Sequence, residues 1–214
     1  LFIVADGMGG HAAGERASSE TVDFCVQFIK DAWSGDTGDV LCEMAECVNR
    51  HVYELASSHV ELNGMGTTLV AASICEDGIY CVNVGDSRMY VVNQEDQLER
   101  VTMDHSVVEM MMRRGELTEE EARNHPNRNY ITRAIGTEKT VRADLYKVPA
   151  GYARMMLCSD GLSGQVANER IEEILKMRSL SLSDRVDMLV GEANRNGGTD
   201  NISVILADLE RVKA

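Results

Sequence analysis

The sequence predicts an α+β sandwich, with helices packed outside two β-sheets. Three observations predict it. Strand-like segments come in blocks separated by helix pairs, without the regular β-α-β alternation of a parallel sheet. Two stretches near the start, residues 15–33 and 39–57, repeat apolar side chains at helical spacing. A polar insert at residues 104–136 breaks an otherwise β-rich middle.

Residues 1–5 are apolar and read as a buried strand that ends on Asp6. The helix expected over 15–33 carries Val22, Cys25, Val26, Ile29 and Ala32 on one stripe. The helix over 39–57 turns Leu41, Met44, Ala45, Val48, Val52 and Leu55 inward, so the two form an antiparallel pair lying on a sheet. Residues 67–75, 79–84, 89–92 and 98–101 have the β-branched and aromatic content of strands. Glu76-Asp77-Gly78 is a turn that makes a hairpin of the first two, and residues 94–97 form another turn. In the insert, Ser106-x-x-Glu109 and Thr118-x-x-Glu121 are capping boxes. The first helix ends near Gly115 and the second before His125-Pro126. Two short helices inserted between strands form a surface flap of the kind that borders a site. Strands resume at 142–148 and 154–159, helices follow at 168–178 and 182–196, and a last strand covers 202–207.

The chain of 214 residues fits one domain, 1–214, able to bury a core without staples. No apolar run is long enough to span a bilayer, and no signal-peptide pattern is present, so the expected location is cytoplasmic. A net charge of −14 argues against nucleic-acid binding, which needs clustered Lys and Arg. Acidity of this kind serves a hydrated surface, a carboxylate cluster awaiting cations, or both. The six cysteines include no CxxC pair, which argues against structural zinc and for reduced thiols.

Three aspartates share one local pattern. Asp6 follows a strand and precedes Gly7; Asp160 follows a strand and precedes Gly161; Asp200 follows Gly197-Gly198 and precedes a strand. Asp86, in Gly85-Asp86-Ser87-Arg88, sits between two strands. Glycine beside each carboxylate lets the backbone bend and approach a ligand. One Asp-Gly pair is ordinarily a turn, and Asp77-Gly78 is read so. Three at strand ends would gather on one sheet edge, where like charges repel unless Mg²⁺ or Mn²⁺ compensates them.

Val4-Ala5-Asp6-Gly7-Met8-Gly9-Gly10-His11, Gly66-Thr67-Thr68, Val84-Gly85-Asp86-Ser87-Arg88, Cys158-Ser159-Asp160-Gly161-Leu162 and Gly198-Thr199-Asp200-Asn201-Ile202 occur in that order. Together they resemble the bacterial branch of the type-2C, metal-dependent protein serine/threonine phosphatases, the PPM family. The resemblance implies a four-layer αββα sandwich with two mostly antiparallel sheets, flanked by helix pairs, plus a small helical flap at 104–136. It implies two divalent cations, Mn²⁺ or Mg²⁺, and a weaker third. Asp6 would bridge the pair with help from the Gly7 carbonyl, Asp160 and Asp200 would hold the first ion, and Asp86 with Asp160 the third. Water activated between the ions would attack phosphoserine or phosphothreonine. The leaving alkoxide would take its proton from solvent at the ions or from His11, which reads equally well as a loop histidine contacting backbone. Implied partners are phosphoproteins made by a serine/threonine kinase, acted on by a monomer in signal transduction.

Rival routes find no support. No cysteine has Arg at the CxxxxxR spacing, and there is no GxxxxGK[S/T] loop. Arg113, Arg114, Arg128 and Arg133 could steer phosphorylated substrates but read mostly as solvated surface, Arg88 as structural, and Met110-Met111-Met112 as flap packing. Two departures from the family pattern matter. Its Arg and Asn-Glu-Asp strand ahead of "DGMGG" is absent, which reads as sequence missing before Leu1 and predicts poor phosphate handling by this segment alone. Gly164 stands where many members carry an acidic residue, which predicts a weaker third site. The alternatives are a weak or inactive phosphatase-fold signalling module and a hydrolase of small phosphoesters.

Overall fold

In chain order the elements of the computed structural model are β1 (Phe2–Val4), β2 (Gly7–Met8), α1 (His11–Ala32), α2 (Thr37–Ser58), a 3-10 turn (Val60–Leu62), β3 (Gly66–Thr67), β4 (Leu69–Cys75), β5 (Gly78–Val84), β6 (Arg88–Val92), β7 (Leu98–Arg100), α3 (Val107–Arg113), α4 (Glu119–Arg123), β8 (Asp144–Pro149), β9 (Arg154–Cys158), α5 (Asp160–Ser163), α6 (Asn168–Leu175), α7 (Leu182–Arg195) and β10 (Val204–Asp208). It describes residues 1–32 and 35–209, apart from the side chains of His11 and Ala32. Position 33, where the first helix was expected to end, lies outside the described residues.

One sheet has the order β1-β4-β5-β8 and the other β10-β9-β6-β7, with every pairing antiparallel. Their facing sides supply Val4, Val70, Cys81, Met89, Val91 and Leu157 to a shared apolar layer. Outside the first sheet, Leu41, Met44, Val48 and Val52 of α2 pack on Leu69 and Val82. Outside the second, Ile171, Ile174 and Leu189 of α6 and α7 pack on Tyr90 and Met156. This is the expected αββα sandwich: each sheet has two apolar faces to cover, and a helix pair and the other sheet cover them. α1 and α2 are each 22 residues long, only four residues separate them, and His51 of α2 bonds Glu20 of α1, so the two pack side by side as an antiparallel pair.

Several boundaries differ from expectation for identifiable reasons. The first helix begins at His11 rather than residue 15. Gly14 is a poor helix former in sequence terms, yet a Cβ there would sit 2.8 Å from the Gly7 carbonyl oxygen, so the helix uses glycine to lie against β2. The buried stripe of α1 runs through Ala13, Ala17, Thr21 and Cys25, and Val26 is 40% exposed. The helix has turned by part of a step from the expected face, because its small N-terminal residues rather than its later branched ones make the close approach. The strand at the start is a half-buried edge of three residues, not a buried one. The expected strand 67–75 is interrupted at Thr68, whose hydroxyl serves the site described below.

In the insert, the Thr118 box is complete. The Ser106 box is only half made: its hydroxyl accepts from the Glu109 amide, while the Glu109 carboxylate goes to Arg100. Of the methionine run, Met112 lines a cleft and Met110 is 43% exposed, so Val108 does the packing instead.

Candidate metal centre

Strand register decides which loops meet. Val4 pairs with Val70 and Leu69 with Val84, which sets the end of β1 beside the end of β5. Cys158 pairs with both Arg88 and Val204, which sets the start of β6, the end of β9 and the start of β10 in one row. The turn Gly85-Asp86-Ser87 crosses from the first sheet to the second at that same end. Asp6, Asp86, Asp160 and Asp200 therefore leave from neighbouring strand ends.

Asp6 is held from two sides. Its amide donates to the Thr68 hydroxyl at 2.9 Å, and its carbonyl accepts from the Thr67 hydroxyl at 2.9 Å and the Thr68 amide. The Thr68 hydroxyl also shares a 2.7 Å hydrogen bond with Ser87, beside Asp86. Thr68 thus ties two of the aspartate loops together, a role its motif did not disclose. Its β-branched hydroxyl is buried, so Thr68→Val is expected to destabilise the protein by about 1–3 kcal/mol, since it orphans the Asp6 amide. A denaturant midpoint unchanged from the parent would refute this role.

Asp160 is the first residue of α5, a short helix that the sequence did not announce. A Cβ on Gly161 would lie 2.2 Å from the Asn201 carbonyl oxygen. Glycine there is what allows the Asp160 helix and the Asp200 loop to touch. Asp200 itself is exposed, and Gly7 is exposed as the first residue of β2. His11 opens α1, but its side chain lies outside the description, so its expected role gains no geometry.

Three of these carboxyls are displaced by burial and by their neighbours. Burial pushes the Asp6 carboxyl up from its ordinary 3.8 to about 7, helped by the charge of Asp160, a hydrogen bond to Asp160, and Asp200. Burial likewise pushes Asp86 up to about 8, reinforced by Asp160, Asp104 and Asp6. Asp160 is raised by burial and by Asp200, while the hydrogen bond from Asp6 and the charge of Arg88 oppose this.

Asp104 joins this group and was not anticipated. It lines the same cleft and raises Asp86 and Asp160, yet it is itself paired with Arg88 at 2.7 Å and Arg100 at 2.8 Å. It has no glycine neighbour, so the pattern that revealed the others passes over it. Arg88, expected to be structural, pairs with Asp104, and its charge lowers Asp160.

Among the described residues, no three His, Cys, Asp or Glu side chains are drawn tightly enough to enclose an ion by themselves. A hard cation completes its shell with carbonyl and water oxygens, and an all-oxygen cluster whose buried charges are left uncompensated is the donor chemistry Mg²⁺ or Mn²⁺ takes. The residues fit such ions. Opposite Asp86, Asp160 and Asp200, the cleft wall is made by Met112, Arg123 and Arg128 of the insert.

Comparison with known proteins agrees with this architecture. A family described as protein phosphatase 2C matches residues 1–196. The chain is 42% identical over 217 residues to the serine/threonine phosphatase stp of Listeria innocua, covering 97% of this chain and 84% of that one. The crystal structure of the serine/threonine phosphatase Stp1 from Staphylococcus aureus superposes with a TM-score of 0.90 at 37% identity, over 97% of this chain and 83% of that one. A catalytic domain of the phosphatase PstP, solved in complex with two manganese ions, superposes at 0.83 with 34% identity, over 96% and 86% of the two chains.

Proposed function

Because this chain belongs to the protein phosphatase 2C family, and is a metal-dependent protein serine/threonine phosphatase, we propose that Asp6, Asp160 and Asp200 are the side chains that hold its two cations, with Asp86 and Asp160 holding a weaker third. The observation that carries this is the strand register that brings Asp6, Asp86, Asp160 and Asp200 to one sheet end, where burial and neighbouring carboxylates push Asp6, Asp86 and Asp160 upward. Manganese, present in the solved PstP domain, or magnesium, its hard-cation equivalent, fits this oxygen cluster. When bound, the two ions make water nucleophilic near neutral pH and neutralise the phosphoryl oxygens.

The chain's own residues place and balance this charge. Thr67 and Thr68 fix the Asp6 backbone, and Ser87 links it to the Asp86 turn. The Gly7 carbonyl is the backbone oxygen assigned to the second ion. Arg123 and Arg128 stand across the cleft, where a phosphorylated segment enters. Residues 104–136 are read as a flap within a single catalytic domain 1–214. His11 is assigned to protonating the leaving alkoxide. Products of a serine/threonine kinase are the substrates that this chemistry consumes, which gives the enzyme its place in signal transduction. Six free cysteines, three of them buried, support a reducing, cytoplasmic setting. No helix among the described residues is long and apolar enough to cross a membrane. The net charge of −14 favours a monomer that repels its copies.

Hydrolysis of a phosphothreonine peptide with Mn²⁺ and with EDTA tests the reading. Activity is expected only with Mn²⁺; turnover that persists in EDTA would overturn it.

The acid cluster also sets a pH dependence. Asp6 and Asp86 titrate near 7 and 8 in the folded protein against an ordinary 3.8. The folded state therefore binds protons more tightly, and the stability this adds is complete below about pH 3.8 and lost as pH rises through 7 and 8. Cations replace those protons, so Mn²⁺ is expected to raise the melting temperature more at pH 8 than at pH 5.5. Equal shifts at the two pH values would contradict this.

A further inference from the structure

Beside the carboxylate centre, and sharing its cleft at Arg88 and Asp104, lies an ionic cluster that the mechanism does not use. Arg88, two residues past Asp86, is its hub. Its Nε donates to both carboxylate oxygens of Asp104 at 3.0 and 3.1 Å, and its Nη2 to one of them at 2.7 Å. Arg100 then bridges Asp104, at 2.8 Å, and Glu109, at 2.8 Å. Glu109 belongs to α3, so this chain of charges reaches the first helix of the flap. In the other direction, Arg88 Nη1 donates to the Tyr90 hydroxyl at 3.1 Å. That hydroxyl donates to Asn168 Oδ1 at 3.1 Å, and Asn168 Nδ2 donates to Glu119 at 2.9 Å. Glu119 opens α4, the second flap helix.

Both flap helices are therefore connected to one guanidinium, by two struts of different chemistry. Asp104, Glu109 and Tyr90 are buried. A buried carboxylate that loses its partner is costly, so the charged strut resists stretching. A mobile surface insert joined only through its loops would need no such connection. We propose that Arg88 is a positioning residue that holds α3 and α4 at a fixed spacing over the carboxylate centre, with Arg100–Glu109 and Tyr90–Asn168–Glu119 as its two struts. This rests on reading residues 104–136 as a flap over the substrate cleft. It adds that the position of the flap is set by β6, the strand that follows the Asp86 turn and begins at Arg88. The struts touch neither a proposed cation ligand nor the reacting phosphate, so cutting one loosens the flap without changing the charges that do the chemistry.

Glu109→Gln cuts the first strut at constant shape, and Tyr90→Phe cuts the second while keeping the buried ring. Two readouts separate the possibilities: amide hydrogen exchange over residues 107–130, and steady-state kinetics on a phosphothreonine protein and on p-nitrophenyl phosphate. Each variant is expected to speed exchange in the flap by about tenfold. KM for the protein substrate should rise about fivefold while kcat on the small ester stays within about twofold. The double variant should depart from additivity, because both struts end on one side chain. Unchanged flap exchange, or strict additivity, overturns the proposal. A parallel loss of kcat on both substrates also overturns it, because the carboxylate centre itself would then have been disturbed. Faster flap exchange with an unchanged KM supports the struts and removes the flap from substrate binding, which is the separate reading on which this one rests.

Discussion

Asp160→Asn is expected to lower kcat/KM on a phosphothreonine peptide by about a thousandfold, or about 4 kcal/mol of transition-state stabilisation. Asp160 is assigned to the first cation and, with Asp86, to the third, so one substitution weakens two sites. Stability should not follow activity. Ionised Asp160 is opposed by burial and by Asp200, and it raises its neighbours Asp6 and Asp86. Asparagine keeps the size and removes that charge. In EDTA the variant should therefore melt no earlier than the parent, and Mn²⁺ should stabilise it less. A variant that keeps a tenth of the activity, or that loses several degrees of melting temperature in EDTA, would show that Asp160 is structural rather than a cation ligand.

Gly7→Ala should be the most destabilising small substitution in the site. A Cβ at that position would sit 1.9 Å from the Gly14 carbonyl oxygen and 2.4 Å from its carbonyl carbon. Both atoms belong to the backbone of α1, so no rotamer change relieves the clash, and β2 and α1 must part. Overpacking of this kind costs about 3 kcal/mol. Asp6, one residue earlier, would move with the strand, so Mn²⁺ affinity should fall together with stability. Chemical denaturation and a Mn²⁺ titration check the two effects. A loss within about 0.5 kcal/mol of zero would mean that the contact between β2 and α1 is dispensable.

Legibility varied with how local the cause was. Thr118 and Glu121 form the expected reciprocal cap because both partners lie within one turn. Ser106 and Glu109 have the same spacing and form half of it, because Arg100 competes for the carboxylate. The α1 face differs from the expected one at Val26 for a related reason: the contact that orients the helix is made by glycines and alanines, which carry little apolar signal. Asp77-Gly78 is a turn, as its spacing predicts, and its Asp77 carboxylate pairs with Lys147 on the surface.

Order along the chain was enough to predict helices packed outside two sheets and to single out Asp6, Asp160 and Asp200, with Asp86 between two strands, as candidate ligands of hard cations; the four-layer αββα arrangement and the role of each aspartate came with the family resemblance. The first group rests on periodicity and on aspartates placed near glycine at strand ends, and such features are local. Only the tertiary structure decided that Thr68 ties the Asp6 and Asp86 loops together, that Asp104 enters the same acid cluster, and that Arg88 serves both flap helices. Asp6 and Thr68 are 62 residues apart, and Tyr90 and Asn168 are 78 apart. Strand pairing brings the first two together and the packing of α6 on the second sheet the other two, and once buried their charges and hydrogen bonds must be satisfied by whatever the fold places beside them.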